Sequence, residues 1–380
     1  MDFGVYLHIP FCLQKCHYCD FISYAGKELS YRDYGQALGK EVSLYKESLR
    51  DQPVLSMYIG GGTPSLFSPD QLAEILNGIK GLINLVPDAE ITIEANPATV
   101  EQSQLEALRQ TGINRLSIGA QASQDRLLSA MGRAHNSRDT EKTFRAARKA
   151  GFANINLDLI YGLPDQSPED WQDTLNWAVA MEPEHLAAYG LKLEEGTPWE
   201  DRYQKGLLAL PEEETVVTMY QQTIHSLAGA GYVHYEISNF ARPGFKSQHN
   251  LLYWKNQEYL GFGVAASSHL GRMRWTNTND LDAYVAKVNS GALPVEEKET
   301  LPLRIQMAET VFMGLRLLEG YHPDDFRHRF GVPMQQVYGS QLAKLLAIGL
   351  VEINGGRVRL TKQGLPLANE VFREFLITLA

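Results

Sequence analysis

The residue pattern predicts an α/β fold: a partial parallel barrel of about six strand–helix units, followed by a helical, winged-helix-like C-terminal module. Three observations carry this. Short β-rich runs alternate with longer helical patterns up to about residue 195, and a repeated strand-then-helix order calls for a parallel sheet. The segments after these strands are rich in glycine and polar residues, as expected where a parallel barrel gathers its ligand-side loops. From about residue 300 helical patterns dominate, interrupted by one short hairpin.

Strands are expected at Val5–Ile9, Ser56–Gly60, Glu90–Glu94, Arg115–Gly119, Asn154–Leu159 and His185–Leu191. About six units favour an incomplete barrel over a closed eight-stranded one. Several helix starts are marked. Ser68-Pro69 and Ser167-Pro168 each set a capping hydroxyl before a proline at the first helical position. Thr99 and Gln102 have the spacing of a capping box. Between about 200 and 290 the pattern is less regular. Near the end, a helix over Gln335–Ile348, strands at Val351–Ile353 and Arg357–Leu360 around Gly355-Gly356, and a final helix give the winged-helix order. The organisation expected is therefore a partial barrel over 1–200, a barrel extension over 201–295 and the C-terminal helical module over 296–380.

The chain has 380 residues, 44% of them hydrophobic, ample for a sizeable core. A net charge of −10 and the lack of a long Lys/Arg block argue against a polyanion binder, so no nucleic-acid partner is expected. The near-neutral hairpin points the same way for DNA. No basic leader precedes the first strand and no stretch approaches ~18 consecutive apolar residues, so no transmembrane segment and a cytoplasmic location are expected. All three cysteines fall within eight residues, which rules out a disulfide framework and fits a reducing compartment.

That cluster is Cys12-x-x-x-Cys16-x-x-Cys19, on the loop after the first strand. Three thiolates can hold three irons of a [4Fe–4S] cubane and leave the fourth open to the amino and carboxylate groups of S-adenosylmethionine. A zinc site completed by His8 or His17 is the alternative, but zinc motifs usually pair two cysteine knuckles and no second one exists. Gly60-Gly61-Gly62-Thr63-Pro64 ends the second strand, where backbone amides could approach a ligand. Glu94 ends the third as a lone carboxylate suited to a ribose hydroxyl or an amine, or else to a cap or salt bridge. Gln121, Arg133 and Asp158 follow strands four and five and are anonymous individually. His249-Asn250-Leu251-Leu252-Tyr253-Trp254 offers an iron ligand and flat apolar surfaces to a macrocycle, or a packed loop with a hydrogen-bonded histidine.

In this order the pieces resemble the radical S-adenosylmethionine enzymes, and more narrowly the oxygen-independent coproporphyrinogen III dehydrogenase (HemN) family. The matching stretches are Tyr6–Cys12, the cysteine triad, Gly60–Ser65, Glu94–Pro97, Arg115–Gln121 and Asp158–Gln166. The likeness covers nearly the whole chain. It implies a [4Fe–4S] cluster on Cys12, Cys16 and Cys19. It implies S-adenosylmethionine contacts at Tyr6, Tyr18, Gly61, Gly62, Thr63, Glu94, Gln121, Arg133 and Asp158, with backbone contact near Gly190.

Two departures sharpen the likeness. The dehydrogenases resemble a CxxxCxxCxC pattern, whereas Phe21 holds the last place here, and Tyr6 lies almost at the terminus, where they carry an arm. Both departures look like the HemW branch, whose members are similar to haem chaperones. The segment carrying His249, Asn250, Tyr253 and Trp254 looks like that branch's haem-associated motif, which turns the reading of these residues toward haem binding. The resemblance thus implies haem as cargo, haem-acceptor proteins as partners and a homodimer as a further association. The rival activity is radical decarboxylation of coproporphyrinogen III to protoporphyrinogen IX. A nucleic-acid-modifying radical enzyme would call for a basic groove that the charge balance lacks.

Overall fold

In the computed structural model, which describes residues 2–50 and 52–377, the six expected strands line up in chain order. They are β1 (Phe3–Ile9), β2 (Pro53–Gly61), β3 (Asn84–Ala95), β4 (Arg115–Gln121), β5 (Ile155–Tyr161) and β6 (His185–Gly190), each parallel to the next. Alternation sorts their side chains. Val5, Leu7 and Ile9 of β1, with Met57 and Ile59 of β2, join the apolar core that also takes Tyr34 and Leu38 of the helix Tyr31–Leu44. Ser56 and Tyr58 alternate with Met57 and Ile59 and turn to the barrel interior, where they meet His249 and Glu94.

The caps at Ser68 and Ser167 form as expected, each accepting from the backbone N–H three residues on, with proline at the first turn. The expected capping box at Thr99 does not form. That helix is Gln102–Gln110, boxed by Glu101 and Gln104. The Thr99 hydroxyl is instead spent on Asn96 O (2.6 Å) and Ser65 Oγ (2.7 Å), which ties down the loop after β3.

The region read as irregular is strand-rich. β7 (Val233–Glu236) and β8 (Asn239–Ala241) extend the sheet antiparallel beyond β6. On the other side β9 (Glu258–Phe262) pairs parallel with β1, and β10 (Ser267–Leu270), β11 (Met273–Asn277) and β12 (Val295–Thr300) continue antiparallel. The result is one twelve-stranded sheet with the parallel barrel at its centre. Both edges of the partial barrel are thereby covered, which removes exposed pairing groups.

The C-terminal module has its own core around Val311, Phe326, Tyr338, Val371 and Phe375. It contains the helix Met334–Ala347, the hairpin β13 (Val351–Asn354) and β14 (Arg357–Leu360), and the helix Ala368–Ile377. It docks on the sheet extension through the paired Arg274 and Glu309, and through Arg329 Nη1 donating to Asn256 O (2.8 Å). Among the described residues, no helix is long and apolar enough to cross a membrane.

Candidate functional site

The cysteine loop is fixed before anything binds to it. Phe11 is fully buried against Tyr31, Tyr34 and Phe67, which anchors the loop's start. Its return is closed by Cys12 N donating to Tyr24 O (3.0 Å) and Tyr24 N to Pro10 O (2.7 Å). Its middle is held by His17 N to Met131 O and Trp199 N to His17 O, both 3.0 Å. Cys12, Cys16 and Cys19 are free, half-exposed thiols, and all three line one cavity of ≈ 370 Å³.

The cavity sits at the C-terminal ends of the strands, where a parallel barrel binds its ligands. Besides the thiols it is lined by Tyr18, Gly61, Gly62, Glu94, Gln121, Arg133, Asp158 and Gly190, all of them expected from the sequence. Thr63 stands just behind the wall, with Oγ1 3.7 Å from Cys12 Sγ while accepting from Asn96 Nδ2 (2.7 Å). Tyr6 is also behind it. Its hydroxyl bonds to His8 Nδ1 (3.0 Å), and His8 Nε2 reaches Ile22 O (2.9 Å), so Tyr6 braces the cysteine loop from below.

The glycines explain themselves by what surrounds them. Gly61 has φ +106°, and a Cβ there would lie 2.3 Å from the His8 ring. At Gly62 a Cβ would fall 2.5 Å from Phe11 O, because Gly62 N itself donates to Ile9 O (2.8 Å). Only glycine lets β2 end this close to the cysteine loop.

Glu94 is held at both oxygens, by Tyr58 OH (2.8 Å) and Gly61 N (3.1 Å). Burial, then the nearby Asp158 charge, pushes its pKa up to about 7. Burial also raises Asp158, which accepts from Ser117 Oγ (2.9 Å) and Asn156 Nδ2 (2.8 Å). Arg133 donates to Asn96 Oδ1 (2.5 Å) and Gly119 O (2.9 Å), with Nη1 3.6 Å from Cys16 Sγ. Gln121 is buried with φ +67°, a strained backbone at the cavity wall. Tyr58, Asn96, Ser117 and Tyr189 also line the cavity and were not expected there. Inward alternation with Ser56 along β2 would have pointed to Tyr58, and the Glu94–Pro97 stretch already contained Asn96.

The donor set fits a [4Fe–4S] cluster. Three thiols converge on one cavity, with Thr63 and Arg133 positioned to donate to two of the sulfurs. Burial pushes the Cys19 thiol up to about 11, so the charge of bound iron must draw its proton off. Among the described residues, no three His, Cys, Asp or Glu side chains gather around a single-ion site. Of the histidines a zinc site would need, His8 has both ring nitrogens engaged, with Tyr6 OH and Ile22 O, and His17 Nδ1 bonds to Ala130 O.

The second expected site lies at the opposite mouth of the barrel. His249, Asn250, Tyr253 and Trp254 are not on a loop but on a short helix, Gln248–Trp254, packed against β1 and β2. Glu90, midway along β3, caps it, accepting from Gln248 N (3.0 Å) and His249 N (3.2 Å). His249 is 1% exposed, and both ring nitrogens are engaged, Nδ1 with Ser56 Oγ (2.8 Å) and Nε2 with Tyr253 OH (2.9 Å). Its ring stacks on Tyr58 at 5.2 Å, and burial lowers its pKa to about 3. Asn250 is half-buried, and Trp254 lies under the Arg316 guanidinium at 4.1 Å.

A partial parallel barrel with a cysteine triad after its first strand, facing a glycine-lined cavity, defines the radical S-adenosylmethionine class. The Radical SAM superfamily matches residues 6–178, and the HemN C-terminal domain matches residues 301–367. This class carries a [4Fe–4S] cluster and S-adenosylmethionine. Within it, the chain belongs to the HemW family. It is 36% identical to the heme chaperone HemW of Bacillus subtilis (strain 168), covering 98% of this chain and 99% of that one. It is 39% identical to the heme chaperone HemW of Escherichia coli (strain K12), covering 98% of each. The structure of coproporphyrinogen III oxidase (HemN) from Escherichia coli has the same fold, with a TM-score of 0.85 and 24% identity over 98% of this chain and 90% of that chain.

Proposed function

We propose that this chain is a cytoplasmic haem chaperone, which binds haem and delivers it to acceptor proteins from a radical S-adenosylmethionine scaffold. The observation that carries this reading is the near full-length relationship to proteins named heme chaperone HemW. Phe21, which lines the cavity where the dehydrogenase pattern has a fourth cysteine, supports it.

Cys12, Cys16 and Cys19 would hold the cluster, which would supply the anchoring point for S-adenosylmethionine. Glu94 is placed to receive the ligand's amine or a ribose hydroxyl. Gly61, Gly62 and Gly190 offer backbone, while Tyr18, Gln121 and Asp158 line the remaining wall. Arg133 and Thr63 would donate to the thiolates, and Tyr6 would hold the loop through His8. His249, Asn250, Tyr253 and Trp254 belong to the haem end of the molecule. Residues 1–200 then act as the cofactor barrel, 201–295 as its haem-handling extension and 296–380 as the helical module. A second copy of the chain is a further proposed partner.

The test is anaerobic titration of the reconstituted protein with haem, followed by transfer to an apo-haemoprotein. Stoichiometric binding and transfer are expected. Failure to bind haem, or many turnovers of coproporphyrinogen III to protoporphyrinogen IX, would overturn the proposal in favour of the oxidase.

A further inference from the structure

Beneath the cysteine cavity the barrel interior holds a layer of polar side chains. Ser117 of β4, Asn156 of β5 and His185 of β6 lie directly opposite one another in register, so their side chains share one level of the interior. All three are at most 2% exposed. Asp158, two residues along β5 on the same face, reaches the cavity wall. It accepts from Ser117 Oγ (2.9 Å) at one oxygen and from Asn156 Nδ2 (2.8 Å) at the other. Asn156 Oδ1 meets His185 Nδ1 (2.6 Å), and His185 Nε2 meets Tyr235 OH (2.8 Å). Tyr235 OH in turn accepts from Ser247 N (3.3 Å), at the cap of the short helix that carries His249. The chain therefore joins the wall of the cysteine cavity to the opposite mouth of the barrel.

Its hydrogens run one way. A carboxylate only accepts, so Asn156 must turn its amide N–H groups to Asp158 and its oxygen to His185. The imidazole then has to donate from Nδ1. Burial, and after it the Arg115 charge, hold His185 well below the ordinary histidine pKa, so the ring is neutral and carries a single N–H. Nε2 is left as an acceptor, and the Tyr235 hydroxyl donates to it. We propose that His185 is a positioning residue for S-adenosylmethionine: its Nδ1–H fixes the Asn156 amide, which orients the Asp158 carboxylate toward a hydroxyl or ammonium donor of the ligand. This role rests on the reading of the cysteine cavity as the cofactor site, and it belongs to a residue outside that cavity's wall. Asp158 keeps lone pairs beyond its two protein bonds, so it can still accept from a ligand. Without His185 the Asn156 amide is free to turn over and set its oxygen against Asp158, which exchanges an attraction for a repulsion.

The experiment uses the full chain with its cluster reconstituted anaerobically. Long-range proton–nitrogen correlation spectra of histidine-labelled protein should show His185, identified by the signal lost in His185→Asn, as the Nδ1–H tautomer. Equilibrium dialysis should give S-adenosylmethionine binding at least about tenfold weaker in His185→Phe, at unchanged cluster content. His185→Asn, whose amide N–H takes the place of Nδ1–H, should bind within about threefold of wild type. An Nε2–H tautomer in the wild type overturns the assignment, whether or not His185→Phe folds, and so does wild-type affinity in His185→Phe. Equal losses in the two variants would overturn it as well, because they would point to packing alone. If the wild type itself binds no S-adenosylmethionine, the reading of the cavity falls, and this role with it.

Discussion

The two mouths of the barrel use the same strands for opposite ends. At the C-terminal mouth, thiols, glycines and carboxylates open onto one cavity, and their hydrogen bonds hold the protein's own groups in place around it. At the N-terminal mouth a capped helix closes the interior and His249 is satisfied by Ser56 and Tyr253, while His269 Nε2, Trp254 Nε1, Arg115 Nε and Arg316 Nε are buried without a hydrogen-bond partner. Tyr58 joins the two, with its hydroxyl on Glu94 and its ring on His249. The difference teaches that a histidine in a suggestive motif can have both ring nitrogens engaged within the chain, while an unremarked one on a short strand has an Nε2 without a hydrogen-bond partner.

Substitutions separate the two ends, beginning with the largest effect. Cys16→Ala should abolish cluster assembly, read as loss of the iron–sulfur absorbance and of bound iron. The stability of the iron-free chain should shift by no more than about 0.5 kcal/mol, because the thiol is half-exposed. A stable cluster in that variant would break the assignment of the triad.

Gly62→Val should cost about 1–3 kcal/mol, since its side chain must push against the Phe11 and Ile9 backbone. Chemical denaturation gives the stability, and equilibrium dialysis should show S-adenosylmethionine binding lost with it. An unchanged denaturation midpoint would mean that β2 can retreat from the cysteine loop.

His249→Ala acts on the other mouth. It removes two buried hydrogen bonds and a stacked ring, leaving Ser56 and Tyr253 unpaired, for a loss of about 1–3 kcal/mol. Thermal unfolding should register this while cluster content stays at the wild-type level. Lost cluster content would show that the two mouths are not separable.

The last substitution tests a pH dependence. Glu94 titrates near 7 in the folded chain against an ordinary 4.5, so folding holds its proton more tightly than the unfolded chain does. The stability this group contributes is fully present below pH 4.5 and is lost as pH rises toward 7. Glu94→Gln should therefore flatten the fall in stability of the cofactor-free protein across that window. Parallel wild-type and variant curves would show that Tyr58 and Gly61 already offset the cost of burying the carboxylate.

Much of this architecture was legible in the sequence because its signals are local. Strand-then-helix alternation, the Ser68 and Ser167 caps and the spacing of Cys12, Cys16 and Cys19 depend on near neighbours, and the structure keeps all of them. Thr99 misled because its hydroxyl has a competing partner in Ser65, which adjacent residues do not reveal. The stretch from about 200 to 290 read as less regular because β9 and β8 are strands by virtue of pairing with β1 and β6, and β9 pairs with a strand more than two hundred residues away.

The sequence by itself determined the class of protein: a thiol triad after a first strand, a glycine-lined turn and a run of parallel units, each set by short-range periodicity and spacing. Tertiary structure alone decided which polar groups are spent. His249 bears the atoms of an iron ligand, but Ser56, 193 positions away, and Tyr253 hold both of its nitrogens, whereas His269 Nε2 is buried with no partner. Hydrogen-bond satisfaction depends on distant groups meeting in space, and no local pattern encodes it.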